Sequence, residues 1–415
     1  MKILSILFFT FFLVSVCSCQ QDNFESKKIT NIELDEKSAQ LVEADNTFGL
    51  DIFQKVRMES EKENIMISPF SISVALAMTY NGAEGETKTE MEKTLNLYGL
   101  TPDEINASYK MLISALQSLD EDVALEIANA IFYADGFSVK TDFINTDQEY
   151  YDAEVASLNF SSPAAVETIN NWVANKTNDK ILKIIEQLSP NDRMILLNAI
   201  YFNGIWSKKF DENGTQVRDF YKADGSVLPI PMMNKEDKLN YASNELFQAV
   251  ELPYGNGHYN MLLLLPEDGK TSQNIINKLS SENWKIWMNG LKTEDYVVVT
   301  MPRFKFAFDT ELKEVLKEMG MLKAFSSQQA DFTGIANNGD LHISSVLHKS
   351  FIDVNENGTE AAAVTGVIIG VTSVGPGQEQ KIYFNVDKPF VFAITEKDTG
   401  AILFIGEVQN PKYED

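Results

Sequence analysis

Apolar positions along the chain follow two rhythms. Over residues 41–58 they recur at helical spacing, with Leu41, Phe48, Ile52 and Val56 on one face. Ser68-Pro69 then opens a second apolar helix over residues 70–80. Serine suits an N-cap, and proline suits the first turn, where its missing N–H has no intrahelical partner anyway. Pro102 begins a helix that runs to Ser118, and residues 164–176 form another, with Ile169, Trp172 and Val173 on one side. Elsewhere the rhythm is that of strands. Residues 194–206 are an almost unbroken apolar run, as expected of a strand buried on both faces. Residues 260–266 and 296–301 read the same way, and 303–308 alternates basic and aromatic side chains. Residues 390–395 and 401–408 flank Lys397-Asp-Thr-Gly400, which predicts a hairpin. Helices come early and strands late, without regular alternation and without a linker. The pattern predicts one α+β body with several large, mostly antiparallel sheets.

One segment fits neither rhythm. Glu356-Asn-Gly-Thr-Glu-Ala-Ala-Ala-Val-Thr365 places three alanines among small and β-branched residues. From Asn357 to Gln380 there is no Lys, Arg, Phe, Tyr, Trp, Leu or Met. Such a run is small enough and β-prone enough to enter a crowded sheet. With a period of two, Thr359, Ala361, Ala363, Thr365, Val367 and Ile369 share one face, and Glu360, Ala362, Val364, Gly366 and Ile368 share the other. No proline interrupts residues 358–374, and proline would block a central strand. As a strand, residues 359–370 would span roughly 40 Å at about 3.3 Å per residue.

The N-terminus reads as an export signal: Lys2, then a mostly apolar run over residues 3–16. Val16-Cys17-Ser18-Cys19 resembles the bacterial lipoprotein cleavage box. That resemblance implies a signal peptide over residues 1–18, lipid on Cys19, a polar tether over 19–40 and a folded domain over 41–415. An ordinary secretory signal cut nearby is the alternative. Lipidation implies a Gram-negative source and an outer-membrane anchor, facing the periplasm or the outside; otherwise the protein is extracellular.

Composition narrows the function. The formal net charge of -25 argues against a nucleic-acid or anionic-membrane surface. Membrane contact is then expected only through the N-terminal lipid. Cys17 and Cys19 are the two cysteines, so the body has no disulfide framework, thiolate metal site or cysteine nucleophile. His258, His342 and His348 fit no common zinc spacing. No nucleophile elbow, P-loop or dinucleotide fingerprint occurs, and Gly255-Asn-Gly257 is a turn. An enzyme is not expected, nor a metal or cofactor. His348 lies in the apolar strand Ser345-Val-Leu-His-Lys-Ser-Phe-Ile-Asp-Val354, where a hydrogen-bonded structural role is expected.

Four segments, in order, resemble the serpin family over about residues 41–412. Asn64-Ile-Met-Ile-Ser-Pro-Phe-Ser-Ile-Ser-Val-Ala-Leu-Ala-Met78, followed by Gly82-Ala-Glu-Gly-Glu-Thr87, is similar to its second-helix region. Leu197-Asn-Ala-Ile-Tyr-Phe-Asn-Gly-Ile-Trp206 is similar to its central strand. His348-Lys349 with Asp353-Val-Asn-Glu-Asn-Gly-Thr-Glu-Ala-Ala-Ala363 is similar to the strand entering its reactive loop. Phe384-Asn-Val-Asp-Lys-Pro-Phe390 through Gly406-Glu-Val-Gln-Asn-Pro411 is similar to its C-terminal signature.

The resemblance implies a serpin fold of three β-sheets, eight or nine helices and an exposed reactive centre loop. It implies a shutter of Ser68, Ser71, Asn198 and His348 beneath the main sheet. It implies a breach at the top of that sheet, formed by Trp206 with the Arg303–Glu356 charge pair, where arginine replaces the family's common lysine. It implies a hinge of Glu356, Gly358, Thr359, Glu360, Ala361, Ala362, Ala363 and Thr365. The family's loop spacing puts the scissile bond at Thr372-Ser373, with Val371-Thr372 and Val374-Gly375 as alternatives. The implied function is suicide inhibition of serine endopeptidases by loop cleavage and insertion; a non-inhibitory ligand carrier or chaperone is the alternative. The bait residues suit a shallow elastase-like pocket, with subtilisin-like or papain-like enzymes as further targets. Heparin activation is not expected, since the matching helix over 102–118 has Lys110 as its one basic residue.

An exposed β-prone loop is also an edge-pairing hazard. A monomer that forms loop–sheet polymers on heating is therefore expected. Gentle heating followed by native electrophoresis should give ladders, and monomer alone would count against it.

Overall fold

The structure, a computed structural model, describes residues 31–337, 341–359 and 381–413. In chain order come α1 (Glu36–Glu59), β1 (Asn64–Ile67), α2 (Pro69–Tyr80), α3 (Gly85–Thr94) and α4 (Pro102–Ser118). Then follow β2 (Val123–Ala134), α5 (Thr141–Tyr151), β3 (Glu154–Leu158), α6 (Pro163–Lys176) and β4 (Met194–Ile205). The middle holds β5 (Gln216–Tyr221), β6 (Val227–Ser243), β7 (Phe247–Tyr254), β8 (Tyr259–Pro266), α7 (Ser272–Ile276), α8 (Ser281–Gly290) and β9 (Lys292–Pro302). The last part holds β10 (Phe304–Glu311), α9 (Lys313–Glu318), β11 (Ile343–Asn355), β12 (Gly358–Thr359), β13 (Ile382–Asn385), β14 (Phe390–Glu396) and β15 (Ile402–Val408).

The strands form two networks. One has six strands in the order β10-β11-β12-β4-β2-β3. The other has nine, in the order β1-β15-β14-β8-β7-β6-β9-β13, with β5 on β6. Three sheets were expected; two of them run together here because β6 belongs to both. Its first half pairs with β5 and its last residues, Asn240–Ser243, with β7. A register shift against β9 between Asp237 and Leu239 marks where the long strand turns from one group to the other.

Local chemistry sets the elements. Ser68 caps α2 by accepting from the Ser71 N–H, and Pro69 occupies its first turn. Every residue of α2 is buried, so this helix has no solvent face and fills the core beside β4 and β15. Gly49 of α1 lets it close on α2: a Cβ there would stand 2.3 Å from the Pro69 Cβ. Helix α1 begins five residues before the first periodic leucine, because Asp35 accepts from Ser38 N at 2.7 Å and starts the turn there. Ile32 is also buried, so the end of the segment expected to be a tether belongs to the folded body.

Among the described residues, the centre of the six-stranded sheet is incompletely filled. β4 and β11 are parallel neighbours from Met194↔Ile343 to Ala199↔Lys349. Beyond a turn at Glu356 and Asn357, β12 runs back between them. Gly358 lies opposite Ile205 and Asn355; Thr359 lies opposite Gly204 and Val354. Gly358 has φ +155°, and a Cβ there would sit 2.0 Å from the Gly204 carbonyl, so only glycine fits the crossing. Among the described residues, positions 200–203 of β4 and 350–353 of β11 pair with no strand across this slot.

Candidate functional site

Two polar clusters sit along the β4–β11 seam. The first lies where those strands still touch. Asn198 of β4 faces His348 of β11 on one side and Asn129 of β2 on the other. His348 Nε2 accepts from the Ser68 N–H at 3.1 Å, so its ring proton is on Nδ1, which donates to Asn198 Oδ1 at 2.8 Å. Asn198 Nδ2 donates to Asn129 Oδ1 at 2.9 Å, to the Ser71 carbonyl at 2.9 Å and to the Ser71 hydroxyl. All five side chains are buried. Burial pushes the His348 imidazole down to about 3, so it is neutral here. The structure thus brings Ser68, Ser71, Asn198 and His348 into one network spanning three strands and the start of α2. Sequence reasoning missed Asn129. Its one signal was an asparagine between alanines in the apolar second half of β2.

The second cluster closes the top of the slot. Trp206 donates from its backbone N–H to the Asn357 carbonyl at 3.0 Å and from Nε1 to the Asn355 carbonyl at 2.9 Å. The Phe210 N–H donates to the Glu356 carbonyl at 3.0 Å. Trp206 stacks on Tyr254 with ring centres 4.3 Å apart, and the Tyr254 hydroxyl lies 2.6 Å from the Thr359 hydroxyl. Arg303 reaches the buried Glu356 carboxylate from Nε at 2.7 Å and Nη2 at 2.6 Å. Both nitrogens converge on Oε1, which Thr215 also contacts, so the pair is not a two-oxygen fork. Tyr254, Phe210 and Thr215 come from segments that gave no sequence signal toward this site.

Of the hinge positions, Glu356, Gly358 and Thr359 are described, and all three are buried. Glu360, Ala361, Ala362, Ala363 and Thr365, the bait residues Val371, Thr372, Ser373 and Val374, and Cys19 lie outside the described residues. His258, Glu396 and Asp398 come together, but Glu396 already accepts from Asp398 N, Thr399 N and the Thr399 hydroxyl at 2.6–2.8 Å. That trio closes the β14–β15 turn.

Two buried groups give opposing pH dependences. The folded-state pKa of His348 is below its ordinary 6.5. Its contribution is therefore complete above pH 6.5. It falls as pH drops, because the unfolded imidazole takes up a proton that the folded one refuses. Each pH unit below 6.5 withdraws up to about 1.4 kcal/mol. Asp45, buried beside Tyr109, is raised to about 7 by desolvation. Its contribution is complete below 3.8 and is lost as pH rises toward 7. Comparison with His348→Gln separates the two. The variant should lose about 1–3 kcal/mol at pH 7, for the unsatisfied Asn198 acceptor. Its deficit should shrink between pH 6.5 and 5 in urea melts. A constant deficit would mean that His348 is not held neutral.

A sequence profile described as serpin (serine protease inhibitor) matches residues 43–411. An uncharacterized serpin-like protein of Methanosarcina acetivorans is 36% identical over 375 residues, covering 89% of this chain and 86% of its own. The native state of the thermophilic serpin tengpin superposes with a TM-score of 0.84 at 31% identity, over 92% of this chain and 96% of that one. Human thyroxine-binding globulin, solved with bound thyroxine, gives 0.83 at 29% identity, over 91% and 100%. A profile spanning nearly the whole folded body, joined to a capped α2, a buried seam network and a strand turned back into the main sheet, makes this chain a member of the serpin family.

Proposed function

We propose that the protein is a suicide-substrate inhibitor of serine endopeptidases with elastase-like specificity. The slot beside β12 carries this reading. Continuing the register of β12 would set Glu360 opposite Asn203 and Asp353, and Ala361 opposite Phe202 and Ile352. Ala362 would follow opposite Tyr201 and Phe351, and Ala363 opposite Ile200 and Ser350. Thr359 is buried, as are Phe202, Ile352, Ile200 and Ser350. The inward face of the new strand is then Thr359, Ala361 and Ala363, small enough to lie over a filled core, while Glu360 faces out. Four residues would enter without parting β4 from β11. The next two would meet Ala199–Lys349 and then Asn198–His348, so Thr365 arrives over the shutter hydrogen bond.

In this mechanism the target protease attacks the carbonyl of Thr372 and forms an acyl-enzyme through its own nucleophile. Val371 or Val374 is the alternative acylated residue. Cleavage frees the loop, which lengthens β12 down the seam and carries the protease with it. Small β-branched bait suits a shallow pocket, and no Lys or Arg is present for a trypsin-like one. The protein is exported and, through lipid on Cys19, held at a bacterial outer membrane.

A second reading, a ligand carrier, has its own support in a cavity of about 520 Å³ between α1, α8, β6 and β7, floored by Leu239, Trp284 and Met288. The similarity to thyroxine-binding globulin favours it too. A protease complex that survives boiling in detergent distinguishes the two: an inhibitor gives it and a carrier does not.

Parity along the hinge provides a sharper test. Thr359→Arg and Ala361→Arg should turn inhibitor into substrate, because a guanidinium would have to enter the core. Glu360→Arg, on the outward face, should retain inhibition. Equal effects at all three positions would contradict strand insertion. For specificity, elastase-like proteases should be consumed stoichiometrically and trypsin poorly. Mass measurement of the released C-terminal fragment should place the cut at Thr372-Ser373, or else at Val371-Thr372 or Val374-Gly375. Rapid trypsin inhibition would refute the specificity.

A further inference from the structure

Lys235 occupies a place that the sequence pattern did not flag. It lies on β6 opposite Val299 of β9 and is 6% exposed. Its Nζ donates to the Lys208 carbonyl at 3.0 Å, and among the described residues it forms no ion pair. The ammonium instead lies 4.7 Å from the centre of the Phe210 ring and 5.7 Å from that of Trp206. Those two residues hold Asn355, Glu356 and Asn357 through three hydrogen bonds. That turn sets the direction in which β12 enters the sheet.

We infer that Lys235 is a positioning residue for loop insertion: its ammonium fixes the Trp206 and Phe210 rings so that the 355–357 turn aims the loop into the slot. The inference rests on the inhibitor reading above. A cation on a ring face, away from water, is a firm contact, and an apolar side chain of equal length would leave both rings freer to shift. A loosened turn slows insertion and leaves the acyl-enzyme longer to hydrolyse.

The contact also titrates. Burial lowers the Lys235 amine to about 8; Asp237 favours its charge and Lys208 opposes it. The other charges around it are partnered. Lys208 reaches Asp237 at 3.3 Å, Lys381 reaches Glu236 at 2.6 Å, and Arg303 holds Glu356. Because the folded pKa is depressed, the cation is present below about pH 8 and lost above it.

The test uses the full chain with an elastase-like protease and reads the ratio of covalent complex to cleaved inhibitor on denaturing gels. Lys235→Met keeps the stem without the charge, and Lys235→Arg keeps the charge. The methionine variant should shift the ratio toward cleaved inhibitor by about threefold, and the arginine variant should restore it. Wild type should show the same shift between pH 7 and 9, beyond whatever change the protease itself produces in the methionine variant. Equal ratios for wild type and Lys235→Met, with parallel pH profiles, would overturn the inference. Should the methionine variant not fold, Lys235→Arg still decides, since it stays charged and should show only the protease's own change, which the wild type should exceed; parallel profiles would overturn the inference. If wild type forms no complex at all, the inhibitor reading fails, and insertion alone is then timed. After the loop is nicked by any protease, conversion to a heat-resistant form should be about threefold slower in Lys235→Met. Equal rates would overturn the role of Lys235 independently.

Discussion

The rest of this structure depends on one seam that is incompletely paired among the described residues. β4 and β11 share a parallel ladder only from Met194↔Ile343 to Ala199↔Lys349. A strand that enters between them replaces that one parallel ladder with two antiparallel ones, as β12 already does at Gly358 and Thr359. Antiparallel pairing is slightly the more stable per residue, and each added main-chain hydrogen bond contributes about 1 kcal/mol net. On the proposed mechanism, the sheet as described is therefore short of its best-paired arrangement. The conformational cost of ordering more chain and the need to separate β4 from β11 keep it there.

The polar seam explains how such a sheet stays closed without being locked. Apolar packing across β4 and β11 would resist parting gradually. In the proposed insertion the His348–Asn198 bond would yield at a defined point, and the side chains it frees are neutral. Because His348 is neutral and accepts from Ser68 N while donating to Asn198, every buried polar atom it presents is satisfied in the closed state. An incoming strand must supply replacements, and a threonine at position 365 has the hydroxyl to do so. A charged imidazole would make the same geometry far costlier to keep buried.

Much of this was legible from residue order alone. The capped start of α2, the doubly buried β4, the hairpin at residues 397–400 and the four serpin-like segments all depend on neighbours in sequence. The grouping of Ser68, Ser71, Asn198 and His348, and of Trp206, Arg303 and Glu356, came from the resemblance rather than from any local pattern. What stayed hidden is contributed across sequence. Tyr254 meets Thr359 from 105 positions away. Lys235 reads as one charge among several in a polar stretch, and only the fold buries it under two rings. Helices α3, α5 and α8 were missed for another reason: each buries three residues or fewer and shows no continuous apolar stripe. The start of α1 was set by a cap at Asp35 rather than by a large apolar side chain. The joining of two sheets through β6 depends on a register shift that composition does not encode.

Two demands on residues 356–374 are separable in this geometry. In the proposed insertion, each position up to Thr365 would face either the core or solvent and would have to cross strands whose spacing is already fixed. Size and parity therefore restrict it, whatever the protease. Gly358 is restricted further, since any side chain would strike the Gly204 carbonyl. On the inhibitor reading, the bait residues at 371–374 would meet the protease before they met the sheet. Their side chains would then be restricted first by the protease pocket, and β-branched residues there would suit both purposes. On that reading a change of target would need only the bait to change, while a change in the hinge would alter every target alike. The proposed clamp belongs with the hinge, because Trp206 and Phe210 bond residues 355–357 and Lys235 lies against their rings.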